Sequence, residues 1–313
     1  MFLAAFATWP NLRYRARVRH ADDTGHWSHW SEPFEFTATQ PDLSPYTASL
    51  VISEIMYHPA NPGPAEFAAG FDDDDYFEYI ELRNVGSQTI SLDGLRFTKG
   101  VDFDLSGTIA PGDYAIVVNN VAAFELRYGT GLPVIGAWRG KLDNGGERVK
   151  LSFGAGIPIR DFVYDDMAPW PASADGSGSS LVLVDPFSLP DHDNPFNWRP
   201  SVAPGGTPSD TDGTTFPGGP PSDFLAYATG ARPDLTLLPD GKLAFRIELN
   251  QLAEDVHHHF EISTDLINWQ PAASPFQKIG VQPTGAGRAL VSFAVSPPSA
   301  EPIWFVRMKV QSR

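Results

Sequence analysis

Leu50-Val-Ile-Ser-Glu-Ile-Met-Tyr57 and Tyr76-Phe-Glu-Tyr-Ile-Glu-Leu-Arg-Asn84 are the two stretches that decide the fold. The first is largely apolar, as a well-buried strand is. In the second, Glu78, Ile80 and Leu82 fall on one face of an extended chain and Tyr79 and Glu81 on the other. Asn84 and Gly86 then supply turn chemistry. Moving outward, Tyr114 to Val118 follows Pro111-Gly-Asp113, and Arg148 to Phe153 follows Asp143-Asn-Gly-Gly146, a strong hairpin signal. Strand signals that recur every ten or so residues, with turn residues between them, predict a β-sandwich. Val121 to Tyr128 reads as the one short helix, capped by Asn120, and is expected to connect strands outside the core.

These stretches occur in order with Leu92-Asp-Gly-Leu-Arg-Phe97, Leu142-Asp-Asn-Gly-Gly-Glu147, Asp165-Asp-Met-Ala-Pro-Trp-Pro171 and Asn197-Trp198. The set resembles the bacterial lamin-tail domain, an immunoglobulin-like β-sandwich, over about half the chain. The resemblance implies a building block of large surface and secreted proteins, in a family not known for catalysis.

The flanks read as β structure too. Arg13, Arg15, Arg17 and Arg19 alternate with Tyr14, Ala16 and Val18, a period-2 strand pattern, ahead of the turn Asp22-Asp-Thr-Gly25 and the strand from Pro33 to Thr37. Trp27-Ser-His-Trp-Ser31 matches the W-S-x-W-S motif of some fibronectin type III domains, so residues 1–38 resemble the closing strands of a truncated one. The arginine planes are expected to stack between the two indoles. Residues 39–48 are a linker and 49–208 the lamin-tail-like domain. A Gly/Pro-rich linker follows over 209–223, its composition already setting in at Pro204, and is expected to be extended and mobile. Residues 224–313 hold strand patterns at Lys242–Leu249, His257–Thr264, Ala289–Val295 and Trp304–Val310. Ser263-Thr-Asp-Leu-Ile-Asn-Trp269 and Phe305-Val-Arg-Met-Lys-Val310 resemble a small C-terminal β-sandwich of bacterial multidomain surface proteins. The fold class expected is therefore all-β: an immunoglobulin-like sandwich, a second small sandwich and a partial fibronectin type III segment.

Composition narrows the function classes. The net charge is −16 and the pI about 4.7, which disfavours nucleic-acid backbones as partners. There is no cysteine, so disulfides, thiolate metal sites and cysteine nucleophiles are excluded. No run reaches the length of a membrane span. Met1-Phe-Leu-Ala-Ala-Phe-Ala7 lacks the basic start and cleavage site of a signal peptide. A truncated N-terminus, with its signal sequence lost, is the expectation, and an extracellular or cell-surface location goes with it. A lamin-like filament is not expected, because no heptad pattern is present.

The sequence carries no G-x-S-x-G elbow, phosphate-cradling glycine loop or H-E-x-x-H motif. No catalytic residue and no firm cofactor is assigned, and the chain is expected not to be an enzyme. Asp72-Asp-Asp-Asp75 with Glu78 is the densest carboxylate cluster, either a solvated loop or oxygen ligands for Ca²⁺; Asp72, Asp74 and Glu78 are the metal candidates. Asp161, Asp165 and Asp166 form a second acidic group, and Asp191-His-Asp-Asn194 reads as an Asx-rich turn. His257 and His259 share a strand face, read as an exposed strand start more than as a metal pair. Glu54 and Glu81 sit within apolar strands, where carboxylates face an edge or bind turn amides. Trp138, Trp170 and Trp198 either cap the core or line a shallow sugar- or peptide-binding face; Trp170, between two prolines, is the binding candidate. The leading function is a non-catalytic scaffold or adhesion module with a protein, cell-surface or polysaccharide partner. A carbohydrate-binding accessory module is the alternative and a metal-dependent hydrolase fragment the second.

Overall fold

The computed structural model describes residues 8–230, 233–238, 243–271, 276–295 and 305–313. It begins with an antiparallel ribbon of β1 (Arg13–Ala16) and β2 (Phe34–Thr37). The serines of the Trp-Ser-His-Trp-Ser stretch explain its spacing. Ser28 Oγ and Ser31 Oγ accept from the backbone N–H groups of His20 and Val18, both at 3.1 Å. This register brings the guanidinium of Arg19 over Trp27 at 4.3 Å and over Trp30 at 4.6 Å. Arg19 is thus the rung that both indoles clasp.

The central unit opens with the one-turn helix α1 (Ser44–Thr47) and runs through β3 (Leu50–Met56), α2 (Pro64–Ala68), β4 (Tyr79–Asn84), β5 (Ile90–Ser91), β6 (Leu95–Lys99) and β7 (Phe103–Asp104). It continues through β8 (Thr108–Ile109), β9 (Tyr114–Val118), α3 (Val121–Tyr128), β10 (Val134–Ala137), β11 (Arg148–Phe153), β12 (Ile157–Val163), β13 (Leu181–Leu183) and β14 (Trp198–Pro200). One sheet has the order β10-β9-β4-β3-β13-β14 and the facing sheet β12-β11-β6-β7, with β5 and β8 as a minor pair. Leu50, Ile52, Ile55, Ile80 and Leu82 from the first sheet and Leu95, Phe97, Val149, Leu151 and Phe162 from the second form one buried core. This is the all-β sandwich expected from the period of the strands.

Ile52 and Ile55 are three residues apart, yet both enter that core. A strictly alternating strand would send them to opposite faces. A β-bulge resolves this: β3 pairs with β4 as Ile52↔Leu82 and then Glu54↔Glu81, so Ser53 and Glu54 together oppose Glu81. The bulge gathers Ser53, Glu54 and Glu81 on the outer face of the sheet.

Two expectations change here. The turn at Asp143–Gly146 does not close a hairpin, because β10 pairs in parallel with β9 while β11 pairs with β12 and β6 in the other sheet. The turn carries the chain between sheets, and Gly146 is needed at φ +100°, where a Cβ would lie 2.6 Å from the Tyr164 carbonyl oxygen. The helix α3 begins at Asn120, whose side chain accepts from the Ala123 N–H, but it is more than a connector. Its fully buried Phe124 packs with Met56, Tyr79, Ile116 and Val118 and covers part of the outer face of the first sheet.

After α4 (Pro221–Ala228) come β15 (Asp234–Leu237), β16 (Leu243–Asn250), β17 (Val256–Ser263), β18 (Gln270–Pro271), β19 (Phe276–Gly285), β20 (Arg288–Val295) and β21 (Phe305–Ser312). They form sheets β15-β16-β20-β19 and β18-β17-β21. Phe260 of β17 bridges the two, stacked on Phe276 at 4.1 Å and edge-on to Phe245 and Phe293. Lys242 and Trp304, expected to start strands, lie outside the described residues.

Asp265 organises the β17–β18 turn. Its carboxylate accepts from the N–H groups of Ile267 and Asn268 and from Ser263 Oγ. These bonds hold it well below the usual carboxylate range. Leu266, at φ +63° and 57 % exposed, pays the left-handed penalty without packing in return. Leu266→Asn is expected to stabilise the chain by about 0.5–1 kcal/mol in urea unfolding, since Asn tolerates this region; an unchanged midpoint would contradict the strain.

Candidate functional site

Three places gather the residues singled out by sequence: a buried carboxylate pair, an acidic loop, and a cleft between the two sandwiches.

Glu54 and Glu81, displayed by the bulge, are each 2 % exposed. Glu54 Oε1 accepts from Tyr79 Oη at 2.7 Å, from the Thr207 N–H at 3.1 Å and, in a very short bond, from Ser180 Oγ. Glu81 accepts from Ser53 Oγ on one oxygen and from the Ser209 N–H on the other, both at 2.6 Å. Burial pushes both carboxyls upward, and the Glu54 charge adds to the rise at Glu81 as the Asp212 charge does at Glu54. The turn amides expected for these residues are present; the edge position is not, because β3 and β4 are central strands.

The amides belong to a strap, residues 203–214, that covers the outer face after β14. Gly206 lies so close that a Cβ there would stand 2.1 Å from Tyr79 Oη and 2.2 Å from Glu54 Oε1. Further on, Asp212 forms a buried ion pair with Arg199 and accepts from the Val202 N–H. Thr214 then exchanges backbone hydrogen bonds with Leu252 and Glu254. The early part of the segment expected to be a mobile linker is therefore sewn down at both ends. Its anchors escaped the sequence reading because Ser180, Thr207, Ser209 and Asp212 look like ordinary loop residues. The one available signal was a pair of Glu residues inside apolar strands.

At the acidic loop, Asp72, Asp74 and Glu78 do not converge. Asp72 is exposed, and Asp74 lies 3.6 Å from His58 Nε2, whose Nδ1 is 2.6 Å from Asp175. Glu78 is fully buried and turned inward, accepting from the Leu142 N–H at 3.0 Å and from Asn119 Nδ2 at 3.3 Å. The carboxylates that do come together are those of Asp73, Asp74 and Asp75, within 4.8 Å of one another. Asp73 caps the following 3₁₀ turn through the Asp75 N–H, and Asp75 pairs with Lys141 at 2.9 Å. The chain holds this loop through internal bonds.

Burial raises Glu78 from 4.5 to about 9. Between those values the native state holds the extra proton. The stabilising contribution is therefore full at acidic pH and is lost as pH rises toward about 9. Glu78→Gln keeps the shape without the ionisation. It is expected to flatten the fall of stability between about pH 6 and pH 9, checked by thermal unfolding across that range. Equal slopes for variant and parent would show that Glu78 is not the titrating group.

In the second acidic group, Asp161 pairs with Arg148 at 2.6 Å and 2.7 Å, whereas Asp165 caps the Met167 N–H. The Asp191–Asn194 stretch is the Asx-rich turn expected, with one addition. His192 is 4 % exposed, and its Nε2 accepts from the Ile52 N–H at 3.3 Å, beyond the two residues of β3 that β13 pairs. Burial lowers His192 to about 3, keeping the ring neutral and able to accept. His257 and His259 stack at 5.3 Å, and His259 faces Glu261 at 3.7 Å. They are half-buried, unlike the exposed strand start expected.

The three tryptophans are not surface aromatics. Trp138 and Trp198 are 4 % and Trp170 8 % exposed, and all belong to the core. Trp198 stacks on Phe162 and donates to the His192 carbonyl oxygen at 2.9 Å. Trp170 shows only an edge to a cleft of about 580 Å³, lined also by Pro171 and Pro200 and by Leu252, Val281 and Pro283 of the second sandwich. Arg83–Glu254 at 3.4 Å, Arg199 to the Gln251 carbonyl oxygen at 3.2 Å, Asn194 to the Lys278 carbonyl oxygen at 3.1 Å and the ion pair Arg313–Asp185 surround the joint.

A two-sheet all-β core of this topology defines an immunoglobulin-like β-sandwich. Residues 44–165 of it match the family model of the Lamin Tail Domain. The sandwich runs past the matched residues, since β13 and β14 complete its first sheet. No curated protein and no solved structure matches the chain. No helix among the described residues is long and apolar enough to cross a membrane.

Proposed function

We propose that the chain is a non-catalytic scaffold or adhesion module of a secreted or cell-surface multidomain protein, presenting two docked sandwiches to protein or surface partners. The observation that carries this reading is the use of the buried carboxylates. Glu54, Glu78 and Glu81 accept from internal hydroxyl, amide and side-chain donors. An acid or base at an open site needs a carboxylate that faces substrate. The immunoglobulin-like fold fits the same role, because loops at sandwich ends and strand edges serve contact. The resemblance of the flanking segments to fibronectin type III and C-terminal surface modules supports this reading.

Small-angle scattering from the full chain tests the scaffold. The expected result is one rigid particle whose inter-unit distance does not change with salt concentration. A broad distribution of distances would overturn it, as would turnover of an ester, glycoside or phosphodiester that Glu54→Gln or Glu81→Gln abolishes.

A further inference from the structure

Glu54 and Glu81 lie directly opposite one another on the outer face of the two central strands, under a strap that touches them through two backbone amides. The Arg83 charge favours ionised Glu81 but is itself paired with Glu254, and Arg199 is paired with Asp212. Tyr79 approaches from β4 and Tyr128 from α3, while Asp210, Asp212 and Glu254 add negative charge from the strap and the second sandwich. Tyr114 of β9 and Arg83 complete the surroundings, with the guanidinium 4.9 Å above the Tyr114 ring. Two carboxylates buried opposite one another resist ionising together, which favours a single negative charge on the pair.

We propose that this pair is a proton-operated clasp: the singly protonated pair holds the 203–214 strap down, and loss of that proton releases it, loosening the joint between the two sandwiches. The second negative charge must reach water. β3 and β4 are locked in the middle of a six-stranded sheet, with neighbours on both sides. Over the pair the strap is held by the amides of Thr207 and Ser209, with Gly205 accepting from Tyr79 Oη at 3.3 Å and donating to the Gly178 carbonyl oxygen; it lacks the paired neighbours of β3 and β4, so it is the lid that lifts at least cost. Its next anchors are Asp212 on Arg199 and Thr214 on Leu252, and Arg199 itself binds the Gln251 carbonyl oxygen. Release therefore propagates to the turn where the second sandwich is attached. The upward displacement of both carboxyls by burial puts the transition above ordinary carboxylate titration. This regulation is separate from the scaffold reading, which stands or falls on the rigidity measured at neutral pH.

Amide hydrogen exchange on the full chain, corrected for intrinsic rates, tests the clasp between about pH 6 and pH 9. In the parent chain the protection of Thr207 and Ser209 is expected to fall about tenfold per pH unit once the pair titrates, while amides of β3 and β4 keep theirs. Glu81→Gln removes the second charge and is expected to abolish this pH dependence; Glu54→Gln serves the same purpose if Glu81→Gln does not fold. Flat protection in the parent chain, or the same decline in the neutral variant, would overturn the proposal.

Discussion

Arg199→Met is expected to lower stability by about 3–5 kcal/mol, the usual consequence of stranding one member of a buried ion pair. Arg199 is 8 % exposed and donates to the Asp212 carboxylate, to the Asp212 carbonyl oxygen at 2.9 Å and to the Gln251 carbonyl oxygen at 3.2 Å. Met keeps the apolar stem and removes every donor. Asp212, 7 % exposed, is left with the Val202 N–H as partner. The lost bonds reach from the first sandwich across the strap to the second. Urea unfolding should therefore separate into two transitions where the parent chain shows one. Adding Asp212→Leu should recover most of the loss, because a buried pair replaced by apolar groups is often neutral. A loss below about 1 kcal/mol would mean that Asp212 is solvated when the chain is free in solution.

Gly206→Ala is the second large effect, at about 3 kcal/mol, combining overpacking with a left-handed backbone at φ +81°. The new methyl would overlap Tyr79 Oη and Glu54 Oε1 and approach Ser180 Oγ at 2.9 Å. Gly107→Ala separates the two contributions. Its φ is +96° and nothing lies within 4 Å of the added carbon. That variant should show the backbone penalty alone, about 1–2 kcal/mol. Chemical denaturation of both decides the matter: equal losses would remove the claim that the strap lies flush on the carboxylates.

The parts of the fold legible in the sequence were those where a local signal decides the structure. The period-2 face of Tyr79–Leu82, the turn before Tyr114 and the Asn120 cap all act within a few residues, and the strands and helix begin where those signals place them. The hairpin at Asp143–Gly146 misled because turn chemistry reports a reversal and not which strand is met afterwards. The strand Phe276–Gly285 was missed because Gly280 and Pro283 interrupt its alternation, and the structure absorbs them as irregularities next to β20. The candidate sites fared differently, since they depend on distance in space. Glu78 looked like one more carboxylate beside an aspartate run. Its strand parity turns it inward to Leu142, which is 64 residues away. Trp170, between its prolines, suits a binding face as well as a core cap, and only the fold decides for the core, where it reaches back to Trp198 at 6.3 Å. Glu54 and Glu81 stand out as carboxylates within apolar strands, but the amides that receive them come from a stretch whose composition suggests no structure at all.

The strap also fixes how the chain carries tension. A pull along the polypeptide cannot straighten residues 203–214 freely, because Thr207, Ser209 and Asp212 are tied to the first sandwich and Thr214 to the second. The load passes sideways through several anchors bearing together. Lengthening begins only when they give way, so the segment between the sandwiches acts as a short, stiff coupling with a built-in reserve of slack.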